Sequence, residues 1–292
     1  MDKIQLKALA KINLGLDVLR RREDGYHQVK MIMQTIGLYD ELTLRKQKTP
    51  EIQVKTNLYY LPTNENNLVY RAAKLLREEF DLPGGISIQL QKKIPVAAGM
   101  AGGSSDAAAV LWGMNQLYGL RLSRQELMER GVKLGADVPY CIMRGTALAE
   151  GIGEQLRPLP SMPKCYLLIA KPEISVSTKF VYENLHANEL RLEQHPDVDA
   201  MIRAMEQKDL ALLASRMGNV LETVTIPAYP VIQRIKEQMM ADGALGAMMS
   251  GSGPTVFGIF QSAGQARRAY RSMRASGLAK QIYMTVPYNV KR

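Results

Sequence analysis

A glycine-rich loop between a predicted strand and a predicted helix is the part of this chain best suited to chemistry. The loop spans residues 95–106, contains three glycines and ends with the pair Ser104-Ser105 followed by an acid. Glycine lets the backbone approach an anion and adopt positive φ, and the first N–H groups of a helix lie unpaired at the positive end of its dipole. The arrangement predicts a site for a di- or triphosphate. The plain alternative is a flexible connection between strand and helix.

Other phosphate-binding and nucleophile motifs are absent from the sequence. No Gly-Lys-Ser/Thr follows a glycine run, as a Walker A loop requires, and no G-x-G-x-x-G opens a Rossmann unit. There is no His-Arg-Asp with a downstream Asp-Phe-Gly, and no G-x-S-x-G elbow. The histidines and cysteines are too scattered to predict a metal site; they are His27, His186, His195, Cys141 and Cys165.

Length and composition predict a globular protein with two domains. The chain has 292 residues, more than a usual single domain, and 46% of them are hydrophobic. Two cysteines indicate a reducing compartment without disulfides. The N-terminus lacks the apolar core of a signal peptide, and no run of about eighteen apolar residues occurs. We therefore expect a cytoplasmic protein that does not enter a membrane.

The net charge of +10 is compatible with nucleic acid, anionic metabolites or a basic surface. Four arginines share one predicted helical face at positions 267, 268, 271 and 274, with few aromatic residues among them. A solvated surface is the commoner explanation of such a pattern. We expect no nucleic-acid partner, and multiply phosphorylated ligands would use only part of the charge.

Alternating apolar residues predict a long hairpin at the start of the chain. One strand contains Ile12–Val18 and the next Val29–Leu38, with a turn at Asp24-Gly25. Short strands are predicted at residues 42–44 and 52–54. After them, the pattern predicts a helix over 68–80, a strand over 86–91, a helix ending near Gly119 and a helix that begins at the capping box Ser123–Glu126. Gly135–Pro139 is expected to be a loop.

Three prolines between Leu156 and Pro163 interrupt the pattern, so we place a domain boundary there, with domains at 1–158 and 159–292. The second half is predicted to contain a strand at 165–171, three helices, a strand–turn–strand, a helix and a final strand at 281–287. The three helices are expected near 178–185, 197–222 and 230–241. Strands and helices mix without strict alternation, which indicates the α+β class.

Lys11, Asp137 and the segment Ser250–Gly253 are candidates for function that also have plain interpretations. A lysine in a strand is usually exposed, an aspartate after a helix can form a turn, and Ser-Gly-Ser-Gly can be a hairpin turn. Their occurrence in one chain with the loop at 95–106 favours a joint role.

Three segments resemble the signature segments of the GHMP small-molecule kinase family. They are Ala10–Leu14, Pro95–Ala109 and Gly246–Pro254, in family order across nearly the whole chain. Asp24–His27 and Leu134–Pro139 are similar to one member in particular, whose substrate is a cytidine diphosphate derivative.

The resemblance implies an ATP-dependent small-molecule kinase with the two-domain GHMP kinase fold. Its N-terminal domain would be ribosomal-protein-S5-like and its C-terminal domain a ferredoxin-like α/β sandwich, with ATP and substrate in a cleft between them. The ATP phosphates would lie on the loop and the start of its helix. This implied ATP site comprises Pro95, Val96, Ala97, Ala98, Gly99, Met100, Ala101, Gly102, Gly103, Ser104 and Ser105.

The resemblance also implies the catalytic and substrate-binding residues. Asp137 would accept the proton of the acceptor hydroxyl, and Lys11 would keep Asp137 ionised and offset charge near the acceptor oxygen. Mg²⁺ is the expected metal, bridging the phosphates, although its protein ligands are not identified. The implied substrate-binding residues are Asn13 for the hydroxyls, and Tyr26, His27, Thr178 and Tyr182 for the cytidine tail. A monomer and a homodimer are equally compatible with the sequence.

The loop departs from the family pattern at Ala97, Ala98 and Ala101, where relatives often carry glycine. Positive φ is therefore expected only at Gly99, Gly102 and Gly103. Ser104 or Ser105 is expected to act as N-cap of the helix, with Mg²⁺ ligation by Ser105 as an alternative. Two other functions stay open: a GHMP kinase acting on homoserine, a mevalonate derivative or a sugar, and a non-catalytic ligand sensor on the same fold.

Overall fold

The computed structural model describes residues 2–290, which form two compact units. The first unit contains the chain up to Ala10, Leu38–Val96 and Ala101–Met143. The second contains Lys11–Gly37, Ala97–Met100 and the chain from Arg144 onward. Helices and sheets are mixed in both, which confirms the α+β class.

The described residues up to Met143 form four strands and four helices. The strands are β1 (Lys3–Arg21), β2 (His27–Gln47), β3 (Ile52–Thr56) and β4 (Gly85–Gln91). The helices are α1 (Leu68–Glu79), α2 (Gly102–Tyr118), α3 (Arg124–Val132) and α4 (Val138–Met143). Within the first unit, the end of β2 pairs antiparallel with β4, and β3 runs parallel to β4. Strand β2 is continuous through residues 42–44, so the separate strand predicted there is wrong.

Local signals in the sequence account for the helices of the first unit. Gly119 ends α2 in the left-handed conformation, and Ser123 and Glu126 form the predicted capping box of α3. Most of α2 is buried, and a Cβ at Gly113 would lie 2.5 Å from Leu6 and 2.8 Å from Leu44. Glycine at this position lets the helix that follows the phosphate loop pack directly on the sheet.

The rest of the chain belongs to the second unit. Its strands are β5 (Thr146–Glu150), β6 (Gln155–Pro158), β7 (Tyr166–Lys171), β8 (Gly218–Asn219), β9 (Gly246–Met249), β10 (Val256–Phe260) and β11 (Gln281–Thr285). Its helices are α5 (Thr178–Glu183), α6 (Val198–Glu206), α7 (Leu210–Ser215), α8 (Glu222–Ala228), α9 (Val231–Ala241) and α10 (Ala263–Ser276). Strand β5 pairs with β2 and β6, and β8 runs parallel to β1.

Four of these strands form an antiparallel sheet in the order β11-β7-β10-β9. Counted along the chain from β7, the order is fourth, first, third, second, and helices follow the first and third strands. This is the βαββαβ arrangement of the predicted ferredoxin-like sandwich.

The single helix predicted over 197–222 is wrong. Its place is taken by α6, α7, the short strand β8 and the start of α8. Lys208 takes a φ of 57° after α6, and the side chain of Asp209 caps α7 by accepting from Leu212. Gly218 and Asn219 then pair with Gly15 and Leu16 of β1. The helical spacing of apolar residues continues through this segment, which is why one helix was predicted. The helix is interrupted by capping and by pairing with a distant strand, and neither is visible in hydrophobic periodicity.

Both cysteines are free and buried, as the composition predicted. Burial raises the pKa of the Cys165 thiol to about 12. Within residues 2–290, no helix combines the length and the apolar character that crossing a bilayer demands.

Candidate active site

The phosphate loop joins β4 to α2 and holds two alanines in an unusual backbone conformation. Ala97, Gly99 and Ala101 have φ values of 49°, 70° and 52°. The expectation of positive φ at Gly102 and Gly103 is wrong, because both belong to the first turn of α2. The left-handed conformation costs an L-residue roughly 1–2 kcal/mol. Ala97 and Ala101 therefore hold backbone strain at the predicted phosphate site, where strain commonly accompanies function.

Helix α2 begins without a side-chain cap. Ala101 occupies the N-cap position, its carbonyl accepts from the N–H of Ser105 at 2.8 Å, and no side chain of residues 2–290 caps the helix. The expectation that Ser104 or Ser105 is the N-cap is wrong. Ser105 is buried one turn further on, and its Oγ donates to the carbonyl of Leu9 at 2.7 Å. The first N–H groups of α2 thus meet no competing side chain, which suits an anion.

Gly99 lies against the turn between β9 and β10, the third signature segment. A Cβ at Gly99 would lie 2.0 Å from the carbonyl oxygen of Ser250, so only glycine fits. The Oγ of Ser250 donates to the carbonyl of Gly99 at 2.9 Å. Asn219 fixes the same turn from β8, because its amide donates to the carbonyls of Met249 and Gly251 at 2.9 and 2.8 Å. The two glycine-rich segments therefore form one backbone-to-backbone contact.

Lys11 and Asn13 lie side by side in the middle of β1. Side chains two residues apart on a strand share a face, and Nζ of Lys11 donates to Oδ1 of Asn13 at 2.7 Å. Both residues are buried, so the plain interpretation of Lys11 as an exposed strand lysine is wrong. The Lys11 amide donates to the carbonyl of Met100 at 3.2 Å, which joins this strand to the phosphate loop.

Asp137 precedes α4 and lies in the first unit, whereas Lys11 lies in the second. Its carbonyl accepts from the N–H of Cys141 at 3.0 Å, so Asp137 occupies the N-cap position of α4. The predicted loop at Gly135–Pro139 is correct up to Asp137, and Val138 and Pro139 already belong to the helix. Asp137 is partly exposed.

The structure brings together two of the four residues predicted for the cytidine tail. The rings of His27 and Tyr182 lie 5.1 Å apart at an interplanar angle of 45°. Thr178, at the start of α5, forms a 2.8 Å hydroxyl–hydroxyl hydrogen bond with Ser252 of the glycine-rich turn. Tyr26 is exposed, and its amide donates to the Asp24 carboxylate. Partial burial, and secondarily the positive charge of Arg21, lower the pKa of His27, which favours the neutral imidazole.

Sequence reasoning missed a buried ionic cluster that flanks the phosphate loop. Lys92 follows β4, and its Nζ forms ion pairs with Asp40 and with Asp106, the latter at 2.7 Å. One signal was available in the sequence. Asp106 is a single acid within the Ala-rich run of α2, whereas a helix on the surface would carry charged residues along a whole face. Asn219, which holds the glycine-rich turn, carried no comparable signal.

A second missed pair lies further along β1. His195 Nδ1 and Asp17 Oδ1 are 2.7 Å apart, and Asp17 is buried. Asp17 has the same strand parity as Lys11 and Asn13, so regular alternation places it on their face of β1. The pair connects the segment before α6 to this face.

Comparisons with known proteins identify the family of this chain. The family model described as GHMP kinases N terminal domain matches residues 67–145, and the one described as GHMP kinases C terminal matches residues 185–278. The 4-diphosphocytidyl-2-C-methyl-D-erythritol kinase of Lachnospira eligens is 59% identical over 285 residues, which cover 98% of both chains. The protein of the same name from Lachnoclostridium phytofermentans is 56% identical and covers 98% of this chain and 97% of its own.

Solved structures give the same result. A crystal structure of 4-(cytidine 5'-diphospho)-2C-methyl-D-erythritol kinase matches with a TM-score of 0.84 and 33% identity, covering 98% of this chain and 100% of that one. Homoserine kinase from Cytophaga hutchinsonii matches with a TM-score of 0.76 at 22% identity, covering 98% and 94%, which shows the shared fold alone. The predicted GHMP kinase fold is confirmed, and this chain belongs to the GHMP kinase family.

Proposed function

We propose that this protein transfers the γ-phosphoryl group of ATP to the 2-hydroxyl of 4-diphosphocytidyl-2-C-methyl-D-erythritol, a step in the non-mevalonate isoprenoid precursor pathway. The observation that carries the proposal is the 59% identity to a kinase of that name over 98% of the chain. The uncapped start of α2, the left-handed loop before it and the buried Lys11–Asn13 pair support it independently.

The phosphate loop binds the donor. The N–H groups at the start of α2 bind the ATP phosphates, and the residues from Pro95 to Ser105 enclose them. Mg²⁺ would supply positive charge beside the phosphates, and because it usually keeps several water ligands, one or two protein oxygens would suffice to hold it. The part of the chain that the structure describes holds no cluster of three metal-ligating side chains. The hydroxyl of Ser105 is the candidate ligand, because it donates its hydrogen to the carbonyl of Leu9 and keeps its lone pairs for a metal.

Asp137 and Lys11 act on the acceptor. Asp137 takes the proton of the substrate's 2-hydroxyl while the oxygen of that hydroxyl forms a bond to the γ-phosphorus of ATP. The bond between this phosphorus and the β,γ-bridging oxygen breaks at the same time, and ADP is released. Lys11 offsets the charge near the acceptor oxygen. A loose transition state needs positioning and charge stabilisation more than a strong base, so an aspartate is adequate. Asn13 orients the neighbouring hydroxyls while it fixes the Lys11 ammonium.

The remaining predicted residues bind the cytidine. Tyr182 and Tyr26 stack on the base, for which aromatic contacts contribute about 1–3 kcal/mol each. Neutral His27 offers one donor and one acceptor to the base edge. Thr178, whose hydroxyl is hydrogen-bonded to that of Ser252, is the remaining substrate-binding residue.

The deciding experiment is ATP consumption in the presence of 4-diphosphocytidyl-2-C-methyl-D-erythritol, with the new phosphate of the product located by ³¹P NMR. We expect ADP and product in equal amounts and phosphate on the 2-hydroxyl. Homoserine, mevalonate and galactose serve as competing acceptors, because the fold alone is shared with kinases of other substrates. Turnover of one of these acceptors, and not of the cytidylyl compound, would refute the proposal.

A further inference from the structure

Three buried charged residues form a cluster in the first unit, which we call the triad: Asp40, Lys92 and Asp106. The Lys92 ammonium contacts both carboxylates, and the side chains are at most 4% exposed. The residues come from three elements: the middle of β2, the segment after β4, and α2. Neither the predicted catalytic step nor nucleotide stacking uses any of them.

The triad holds the chain where it enters the phosphate loop. Oδ1 of Asp40 accepts hydrogen bonds from the backbone N–H groups of Lys93 and Ile94, the latter at 2.8 Å. These are the last two residues before Pro95. Asn57 adds a two-way bond on the same segment, because its side chain accepts from the Lys92 amide at 2.8 Å and donates to the Lys92 carbonyl at 3.2 Å.

The triad also holds the chain where it leaves the loop. Asp106 lies in the second turn of α2 and accepts from Nζ of Lys92 at 2.7 Å. A Cβ at Gly102 would lie 3.1 Å from the same Nζ, so the ammonium lies directly beneath the first residue of α2. The Lys92 ammonium is therefore linked to both ends of the phosphate loop: to its entrance through Asp40, and to its exit through Asp106 and Gly102.

The energetics argue that the triad is not there mainly for stability. Burying charges costs several kcal/mol per ion, and well-packed apolar replacements of buried ion pairs are often as stable. Oδ1 of Asp106 is buried and has no hydrogen-bond partner among residues 2–290. Burial, opposed by Lys92 and reinforced by the charge of Asp40, raises the pKa of Asp106 well above its usual range. An arrangement this costly is better explained by what it positions.

We infer that the Asp40–Lys92–Asp106 triad is a positioning unit that fixes both ends of the phosphate loop in its ATP-binding conformation and thereby sets the affinity for the nucleotide. The inference rests on the proposed function, because it assumes that the loop binds ATP. Loss of the triad lets the loop leave the left-handed conformation at Ala97 and Ala101. The apparent affinity then falls in proportion to the fraction of molecules that keep the competent loop.

The test is a neutralised variant, Asp40→Asn, Lys92→Met and Asp106→Asn together, which keeps the side-chain volumes and both acceptor bonds to the backbone. We expect the KM for ATP and the calorimetric Kd for MgATP to rise about tenfold or more. A rise of this size corresponds to about one tenth of the molecules keeping the loop in its ATP-binding conformation. The KM for the cytidylyl acceptor should change less than twofold. The single variant Asp106→Asn should show a smaller effect in the same direction.

An exposed cluster in the same unit provides the matched control. Lys74 of α1 pairs with Glu65 at 2.7 Å and Glu78 at 3.9 Å. Lys74→Met should leave both KM values unchanged. A folded triad variant that binds MgATP as tightly as the wild type, or whose two KM values rise together, would overturn the inference. If the wild type itself binds no MgATP, the proposed function fails instead, so the two failures are distinguishable.

Discussion

The ammonium of Lys11 donates to the amide oxygen of Asn13 across 2.7 Å, and neither side chain is more than 5% exposed. The pair fixes a positive charge in the middle of β1, on the residue whose own amide donates to the carbonyl of Met100. A charge held this way needs no reorganisation during the reaction, which is how enzymes gain most from electrostatics.

Replacing Lys11 by alanine should lower kcat by about 10²-fold, because removing one preorganised group at a developing charge has effects of that size. The KM for ATP should rise less than kcat falls. Steady-state kinetics with both substrates varied measure the two effects. Lys7→Ala, an exposed lysine of the same strand, is the control and should behave as the wild type. An effect on KM alone would make Lys11 a binding residue only.

Asp137→Asn should keep nucleotide binding and reduce kcat by about 10²-fold or more, since the amide cannot accept the hydroxyl proton. The backbone carbonyl at this N-cap position is unchanged by the substitution, so α4 should stay intact. Calorimetric titration with MgATP and single-turnover rates separate binding from chemistry. Glu129→Gln, at an exposed carboxylate of α3, is the control. Near-normal turnover of Asp137→Asn would remove it from the mechanism.

The cytidine pocket should respond to pH through His27. Because the pKa of His27 lies below its ordinary value, the ring stays neutral as the pH falls towards about 6.5, where an unperturbed histidine is half protonated. The KM for the cytidylyl substrate should therefore be constant from about pH 8 to that point and rise below it, when protonation removes the acceptor nitrogen. His27→Gln should abolish the rise. A KM that already increases above pH 7 in the wild type would contradict this role.

Tyr182→Ala should raise the KM for the same substrate by removing a stacking face worth about 1–3 kcal/mol. Tyr182→Phe keeps the ring next to His27 and should be nearly normal. Kinetics at saturating ATP provide the comparison. If the KM of Tyr182→Ala is unchanged, Tyr182 is not part of the pocket.

The strained alanines predict an unusual gain in stability. Ala97→Gly and Ala101→Gly each relieve roughly 1–2 kcal/mol of left-handed strain and lose roughly 0.5–1 kcal/mol of chain entropy. Each variant should therefore unfold at slightly higher urea concentration than the wild type. Gly99→Ala is the opposite case, because its Cβ would meet Ser250 O at 2.0 Å, and it should be strongly destabilised. Equal stability of all three variants would mean that the loop relaxes freely.

The sequence predicted the elements whose signals are local, and it missed those that depend on distant contacts. The capping box of α3 and the stop at Gly119 were readable because each depends on neighbouring residues. The break of the helix predicted at 197–222 depends on pairing between Gly218 and Gly15 of β1, more than two hundred residues away in the sequence. The boundary at 158/159 stays a prediction.

The candidate site shows the same division. Type and spacing made the loop at 95–106, Lys11 and Asp137 candidates, and the family resemblance added His27 and Tyr182. The left-handed conformation of Ala97 and Ala101 could not be predicted, because residue preferences assign positive φ to glycine. In other residue types this conformation is held only by the surrounding structure. The triad was missed because Lys92 is the first of two adjacent lysines, and sequence does not tell which of them is buried.

The location of Lys11 in the interior of a nineteen-residue strand also limits how it moves. Its amide donates to the carbonyl of Met100 and its side chain is buried, so we expect little local opening of the strand at this position. In deuterium-labelling terms, residues 11–13 should belong to the most slowly exchanging peptides, released only by opening of the whole sheet. The Lys11 ammonium is thus expected to stay in place as long as the hydrophobic core stays folded.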